Sequence, residues 1–88
     1  MIQSEFIIAN QLGIHARPAS YIVKLAMKFK SSIVFKKDGA VADAKSIMSI
    51  MMLAASCGAK VSIEVSGEDE KDAFDAMSEL FSNKFNEE

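Results

Sequence analysis

Residues 61–81 read VSIEVSGEDEKDAFDAMSELF, a stretch that holds a strand, a turn and a helix in direct succession. Apolar and polar residues alternate over 61–65, which is typical of a half-buried strand. Ser66-Gly67 predicts a turn, and the three acidic residues after it favour the positive end of a helix dipole. The predicted helix carries an apolar stripe formed by Ala73, Phe74, Met77, Leu80, Phe81 and Phe85.

The elements before this stretch follow from similar local signals. Apolar residues within 1–9 predict a first strand. Pro18 fits the first turn of a helix, and helical spacing of small and apolar residues extends that helix to about Phe29. Asp38-Gly39 predicts a tight hairpin turn, because both central positions of such a turn favour a positive φ. The two strands that it joins cover 33–37 and 40–43.

Ser46 predicts the N-cap of a second helix over about 47–56, with Gly58 just past its end. The order of elements is therefore β-α-β-β-α-β-α. Helices that cover one face of an antiparallel sheet are the natural architecture for this order. We expect an α+β open-faced sandwich, in which three helices lie on one face of a four-stranded antiparallel sheet.

The composition is that of a small globular protein. Half of the 88 residues are hydrophobic and a quarter are charged, so we expect one domain over residues 1–88. Neither a signal peptide nor a membrane-spanning run is visible, so we expect a cytoplasmic protein with no membrane insertion. The single cysteine, Cys57, excludes an internal disulfide, and we expect it to be buried.

Charge is distributed unevenly along the chain. Residues 1–60 hold eight Lys and Arg against three Asp and Glu, a net charge of +5. Residues 61–88 hold two Lys and Arg against nine Asp and Glu, a net charge of −7, and the whole chain has a net charge of −2. Because no overall basic excess is available to neutralise phosphates, nucleic acid is not expected as a partner. The basic part can still attract an acidic protein.

The segment Gly13-Ile14-His15-Ala16-Arg17-Pro18 carries the chemistry that the sequence suggests. His15 is the only histidine, and it precedes a helix whose first N–H groups have no partner inside the helix. Such a helix end attracts an anion, to which Ala16 and Arg17 offer N–H groups and Arg17 also a guanidinium. Pro18 holds the start of the helix. A nucleophilic imidazole in this cradle suits phosphoryl transfer, which needs mainly positioning and charge stabilisation.

Other chemistries fit the chain less well. No Gly-rich ATP-binding loop is present, so a phosphoryl group must come from another protein. No cofactor is predicted, and no metal site either, because a lone His lacks further ligands. The spacing alone leaves open that His15 is an ordinary surface histidine ahead of a helix.

The second predicted helix is apolar over about twice the arc that a surface helix turns towards its core. Its methionines either complete the core or form an exposed docking surface, for which the adaptable side chain of Met is well suited. The face beside its core stripe consists of Ile47, Met48, Met51, Met52 and Ala55. The first helix turns a mixed, basic face away from the core, which consists of Ser20, Lys24 and Met27, edged by Lys28.

Ser46 allows a structural and a regulatory interpretation. As an N-cap it stabilises the helix by about 0.5–2 kcal/mol. A phosphate on it would suit the helix N-terminus but would add about −1.5 to −2 charges beside the methionines. A partner that presents acids to Arg17, Lys24 and Lys45 would then be repelled.

Three motifs in the correct order resemble the HPr family of histidine-containing phosphocarriers, which belongs to the bacterial phosphoenolpyruvate-dependent sugar phosphotransferase system. They are GIHARPA at 13–19, KSIM at 45–48 and SGEDE at 66–70, and the resemblance covers essentially the whole chain. It implies the open-faced sandwich expected above. It also implies that His15 accepts a phosphoryl group, at Nδ1, from Enzyme I and passes it to the IIA component of a sugar permease.

The resemblance assigns further roles. Ala16, Arg17 and Pro18 would form the phosphate-binding segment, with Arg17 neutralising the phosphate. Ser46 would match the site of an HPr kinase/phosphorylase, with a catabolite-control regulator as a further partner. The protein would be a monomeric carrier rather than an independent enzyme. The implied docking patch consists of Ile47, Met48 and Met51, with Ser20, Lys24 and Met27 beside it.

Three positions depart from the usual family pattern. Ala44 stands where family members often have a branched aliphatic residue. Ser49 stands where many have Gly, and Ser20 where Ala is common. The first two lie near Ser46 and therefore bear on kinase recognition more than on His15. Two other functions stay open: an HPr-like paralogue that acts as a regulatory module in nitrogen or catabolite control, and an RNA-binding domain, which the acidic balance disfavours.

Overall fold

The structure, a computed structural model, describes residues 1–86, so the last two residues of the predicted domain lie outside the described part. Its strands are β1 (Ile2–Ile7), β2 (Ser32–Lys37), β3 (Ala40–Asp43) and β4 (Lys60–Ser66), and its α-helices are α1 (Ala16–Ala26), α2 (Ile47–Met52) and α3 (Glu70–Ser82). A 3-10 turn follows at Lys84–Asn86. Within the described part, no helix combines the length and apolar character needed to cross a bilayer.

The strands form one antiparallel sheet in the order β1-β4-β2-β3. β4 is central, so its residue Ile63 pairs with Ser4 on one side and with Phe35 on the other. The apolar residues of β4 are fully buried, and the polar residues between them face the other side. The three helices cover the buried face, which confirms the predicted α+β open-faced sandwich.

The hairpin between β2 and β3 is the predicted one. Asp38 and Gly39 have φ values of +50° and +86°, as a tight turn with two left-handed residues requires. Lys37 pairs with Ala40 immediately beside the turn. The two-residue turn therefore sets the register of this edge of the sheet.

The third helix is also close to its prediction. Its stripe is buried at Ala73, Met77, Leu80 and Phe81, and Phe85 is fully buried in the turn that follows. The rings of Phe81 and Phe85 meet edge to face, with centroids 4.8 Å apart. This end of the chain therefore belongs to the core rather than to the surface.

Asp69, the N-cap of α3, ties that helix to the residues before β2. Its carboxylate accepts hydrogen bonds from the N–H of Lys30 at 3.0 Å, from the N–H of Ser31 at 2.9 Å and from the Ser31 hydroxyl. These bonds, the Ser31 hydroxyl foremost, lower the pKa of Asp69 to about 2, because they favour the ionised carboxylate.

The predicted end of α2 was wrong. The helix ends at Met52, and Ala54 takes the left-handed conformation just after it, with φ +52°, whereas Gly58, whose φ is +88°, lies further along the loop. Chain segments distant in sequence impose this early end, because the carbonyl of Ala55 accepts a hydrogen bond from the N–H of Ile14 at 2.8 Å. The N–H of Gly58 instead donates a hydrogen bond to the carbonyl of Ile8 at 2.8 Å.

Two smaller predictions also need correction. Cys57, which was expected to be buried, is exposed, because the shortened helix leaves it in the loop that leads to β4. α1 ends at Ala26 rather than near Phe29. Phe29 still packs against the core from the loop after the helix, which explains why its spacing looked helical.

Candidate functional site

The loop that leads into α1 is closed by hydrogen bonds of Asn10. The carbonyl of Asn10 accepts from the N–H of Gly13 at 3.1 Å, and its side-chain Nδ2 donates to the carbonyl of Gly13 at 2.6 Å. The N–H of His15 also donates to that carbonyl, at 3.2 Å. Asn10 is fully buried, so the loop is fixed from inside the protein.

Gly13 is required at its position by both space and backbone geometry. Its φ is +69°, a conformation that residues with a Cβ adopt only with strain. A Cβ there would lie 2.5 Å from the carbonyl oxygen of Ala55 and 2.8 Å from Cα of Ser56. Gly13 and the buried Ile14 therefore hold this loop against the segment that follows α2.

His15 is the N-cap of α1. Its carbonyl accepts the first helical hydrogen bond, from the N–H of Ala19 at 3.0 Å, and its half-buried side chain makes no capping bond to the helix. Within residues 1–86, neither the N–H of Ala16 nor that of Arg17 meets a hydrogen-bond acceptor. The first turn of α1 also contains no acidic residue, so the site is arranged to receive an anion.

The two neighbours of this helix mouth contribute differently. The side chain of Arg17 is exposed, so its guanidinium has room to reach an anion beside His15. Pro18 is fully buried and has no N–H, so it offers no donor to a phosphate. Its place in the predicted phosphate-binding segment is to fix the first helical turn.

The methionines of α2 are exposed rather than part of the core. Met48, Met51 and Met52 are 70%, 43% and 77% exposed, and Ile47 is 43% exposed. Ala55, which the helical pattern placed on the same face, is buried because the helix has already ended. The structure therefore favours the surface interpretation of this face.

Two contacts show that α1 and α2 run antiparallel beside each other. At one end, the N–H of Ile14, before α1, meets the carbonyl of Ala55, after α2. At the other end, Nζ of Lys45 donates to the carbonyl of Phe29 at 2.9 Å. The exposed face of α2 thus extends between the His15 end and the Ser46 end of the helix pair.

The predicted residues of α1 lie along the same pair of helices. Met27 is 64% exposed, Lys24 is exposed and Ser20 is half-buried. Together with Ile47 and Met48 they form a mixed apolar and basic surface, in which no side chain is acidic. The structure therefore places five of the six predicted docking residues on the two neighbouring helices, and the sixth, Met27, directly after the end of α1.

Ser46 is the N-cap of α2, as predicted. Its Oγ accepts a hydrogen bond from the N–H of Ser49 at 3.3 Å, and its carbonyl accepts from the N–H of Ile50 at 3.1 Å. Ser46 and His15 lie at opposite ends of the helix pair, so they are separated by the length of the 11-residue helix α1, about 16 Å.

Two large, exposed apolar residues at the His15 end of the helix pair were not among the predicted docking residues. Leu12 is 75% exposed in the loop before α1, and Met52 ends α2. The sequence contained a signal for Leu12, because a turn such as that between Asn10 and Gly13 normally takes polar residues and Leu12 is large and apolar.

Comparisons with known proteins agree with this geometry. The family model described as "PTS HPr component phosphorylation site" matches residues 2–83. Phosphocarrier protein HPr of Xylella fastidiosa strain 9a5c is 44% identical over 88 residues, which cover 100% of this chain and 99% of that protein. The crystal structure of HPr from Thermoanaerobacter tengcongensis has a TM-score of 0.95 at 43% identity and covers 100% and 99% of the two chains.

A third relative is the catabolite repression protein Crh of Bacillus subtilis, whose structure is described as a swapped dimer. It has a TM-score of 0.76 at 36% identity and covers 96% of this chain and 97% of that one. The match over residues 2–83 and the identity of these relatives decide the family. The chain belongs to the HPr family of phosphocarrier proteins of the phosphotransferase system.

Proposed function

We propose that this protein accepts a phosphoryl group on His15 from Enzyme I, which phosphoenolpyruvate charges, and passes it to IIA components of sugar permeases. The observation that carries the proposal is the mouth of α1. There, the half-buried side chain of His15 adjoins two backbone N–H groups that no acceptor within residues 1–86 uses. A transient phosphohistidine requires such a nucleophile together with hydrogen-bond donors that stabilise the phosphoryl oxygens.

In the proposed transfer, a neutral imidazole nitrogen of His15, Nδ1, forms a bond to phosphorus while the bond between phosphorus and the donor breaks. The electron pair of the broken bond stays with the donor. The N–H groups of Ala16 and Arg17 and the guanidinium of Arg17 stabilise the phosphoryl oxygens. Transfer to the acceptor is the same step in the opposite sense, so the protein acts as a carrier and not as an independent catalyst.

We propose that the docking patch consists of the exposed residues of α2 and α1 between His15 and Ser46. Ile47, Met48 and Met51 supply its apolar part, and Ser20, Lys24 and Met27 its edge. Large exposed apolar side chains that lie together are typical of protein interfaces. The basic edge suits a partner surface that carries carboxylates.

Regulation at Ser46 is the finer part of the proposal. The side chain is half-buried and is used as a cap, yet it lies at the edge of the docking patch. Phosphorylation by an HPr kinase/phosphorylase would place a dianion beside Lys45 and the methionines. It would weaken the docking of acidic phosphoryl-exchanging proteins and would create a site for a catabolite-control regulator.

A second candidate function is that of a regulatory binding module in nitrogen or catabolite control. The similarity to Crh, a catabolite repression protein, favours it as the alternative. Such a module would use the docking patch without using His15. We further propose that residues 1–88 act as one cytoplasmic domain and that the protein is a monomer. Sedimentation of the purified chain would check the monomeric state.

The deciding experiment is incubation with phosphoenolpyruvate and purified Enzyme I, followed by intact-mass measurement before and after mild acid. We expect one acid-labile phosphoryl group on the natural chain and none on His15→Ala. The matched control is Lys60→Ala, at an exposed position on β4 in the sheet, which should be phosphorylated normally. Unmodified natural chain, or equal labelling of His15→Ala, would refute the carrier function.

A further inference from the structure

Two polar residues are buried among residues 1–86, Asn10 and Ser31, at 0% and 1% exposed. Ser31 holds the start of α3 through its hydrogen bonds to Asp69. Asn10 belongs to no helix or strand and lies five residues before His15. Burying an amide side chain is unfavourable unless hydrogen bonds replace those it made to water, so the bonds of Asn10 indicate what it does.

The side chain of Asn10 holds the carbonyl group of Gly13. Its Nδ2 donates to that carbonyl at 2.6 Å, and the N–H of His15 donates to the same oxygen at 3.2 Å. A carbonyl oxygen has two lone pairs, so both of its acceptor positions are filled. Because a carbonyl can only accept, the part of the Asn10 amide that meets it has to be the NH₂ group. Asn10 is therefore required as a donor, which an ionised carboxylate of the same shape could not replace.

The chain before Asn10 is anchored to the end of the sheet. The N–H of Ile8 donates to the carbonyl of Ala59 at 2.9 Å, and the carbonyl of Ile8 accepts from the N–H of Gly58 at 2.8 Å. Ile8 is also buried. The bond from Asn10 to Gly13 therefore connects a fixed end of the sheet to the loop that begins α1.

We propose that Asn10 is a positioning residue for phosphoryl transfer at His15, an inference that rests on the function proposed above. Asn10 keeps the carbonyl oxygen of Gly13 turned towards the buried amide rather than towards the mouth of α1. That oxygen is the negative end of a peptide dipole and would repel a phosphoryl group beside it. The N–H groups of Ala16 and Arg17 can then bind phosphoryl oxygens without an opposing dipole next to them.

Loss of the Asn10 donor should act on the chemical step. The carbonyl of Gly13 would keep only the longer bond from His15, so the loop before α1 could shift. Transfer requires the reacting atoms to lie about 3–3.5 Å apart and in line, and a displacement of about 1 Å can slow it about 100-fold. The docking patch lies on other residues, so the binding of the partner should change little.

The test measures kcat and KM for phosphorylation by Enzyme I and phosphoenolpyruvate. We expect Asn10→Asp and Asn10→Ala each to lower kcat about tenfold or more, with KM within about twofold of that of the natural chain. Asn10→Asp keeps the shape of the side chain, so its loss of kcat cannot be due to a cavity. Asn10→Ala buries no charge, so it keeps the test decisive if Asn10→Asp does not fold.

The matched control is Ser31→Ala, which removes the hydroxyl of the other buried polar residue. It should be less stable than the natural chain in urea, yet its folded state should keep the natural kcat. Urea unfolding at the assay temperature shows which variants are folded. A residue that only stabilises the fold would change the urea midpoint and leave kcat of the folded protein unchanged.

The possible results separate this inference from the carrier function. If the natural chain is phosphorylated and folded Asn10→Ala has the kcat of Ser31→Ala, Asn10 does not position His15, and the carrier function stands. If KM rises while kcat is unchanged, Asn10 acts on docking, which also contradicts the proposal. If the natural chain is not phosphorylated at all, both proposals are overturned.

Discussion

The backbone N–H of Ile14 donates to the carbonyl of Ala55 at 2.8 Å, although the two residues are 41 positions apart in the sequence. This bond joins the loop that carries His15 to the segment that follows α2. Gly13 packs against the same segment, so the loop cannot shift without disturbing it. The position of His15 therefore depends on residues far from it in the chain, and the first prediction tests this dependence.

Gly13→Ala should destabilise the protein and slow its phosphorylation. The new Cβ would lie 2.5 Å from the carbonyl oxygen of Ala55, and the φ of +69° adds backbone strain. We expect a loss of about 2–4 kcal/mol in the free energy of unfolding by urea. The control is Gly39→Ala, whose φ of +86° is also positive but whose Cβ would meet open space. That variant should lose only about 1 kcal/mol and be phosphorylated normally.

Ala54→Gly should stabilise the protein. Ala54 takes the left-handed conformation after α2, with φ +52°, which glycine adopts without a penalty from Cβ. We expect a gain of about 0.5–1 kcal/mol in urea unfolding. The neighbouring variant Ala55→Gly should be less stable than the natural chain, because Ala55 is buried and has no positive φ. A loss of stability in Ala54→Gly would contradict this account of the helix end.

Arg17→Ala should slow phosphoryl transfer to His15 without unfolding the protein. The side chain is exposed, so its removal leaves the core intact, but the charge beside the proposed phosphate is lost. We expect a fall in kcat/KM of about tenfold or more, with Arg17→Lys intermediate because Lys lacks the planar fork. Lys60→Ala on the sheet serves as the charge control. Equal rates for Arg17→Ala and Lys60→Ala would show that Arg17 does not contact the phosphate.

Substitutions of Ser46 should separate its structural role from its regulatory one. Ser46→Ala removes the acceptor of the bond from Ser49 and should lower stability by about 1 kcal/mol, while phosphorylation by Enzyme I stays normal. Ser46→Asp keeps a capping side chain and should be as stable as the natural chain. Its charge at the edge of the docking patch should nevertheless raise KM for Enzyme I. If Ser46→Asp leaves KM unchanged, charge at this position does not control docking.

The stability of the protein should depend on Asp69 in acid. Its folded-state pKa of about 2 lies below the ordinary value of 3.8, mainly because the Ser31 hydroxyl and the N–H of Lys30 bond to the carboxylate. The folded state thus binds this proton less readily than the unfolded state does, so the stabilisation is complete above about pH 4 and disappears as the pH falls through 2.

Urea unfolding of Asp69→Asn across this range checks the sign. The natural chain should be the more stable above pH 4, and the difference should shrink towards pH 2. Asp72→Asn, in the first turn of the same helix, is the control and should show a much smaller change with pH. A difference that is constant from pH 5 to pH 2 would show that the ionised carboxylate is not what stabilises this contact.

Several parts of the fold and of the site were predictable because their causes lie within a few residues. The hairpin at Asp38-Gly39 needs only two residues that tolerate a positive φ, and the cap at Ser46 needs only a hydroxyl three residues before an N–H. The strand at 61–65 and the stripe of α3 follow from periodicity. The anion cradle at His15 was likewise readable, because the first N–H groups of any helix lack partners inside it.

The tertiary structure decided what depends on distant residues. The sequence pattern continued α2 to about residue 56, but the bond between Ile14 and Ala55 ends it at Met52, which leaves Ala54 strained and Cys57 exposed. The place of β4 between β1 and β2, and the antiparallel pairing of α1 with α2, also arise from contacts between residues far apart in the chain. Local sequence sets the preferred conformation of a few residues at a time, whereas burial and hydrogen bonding across the fold choose which of these preferences the chain keeps.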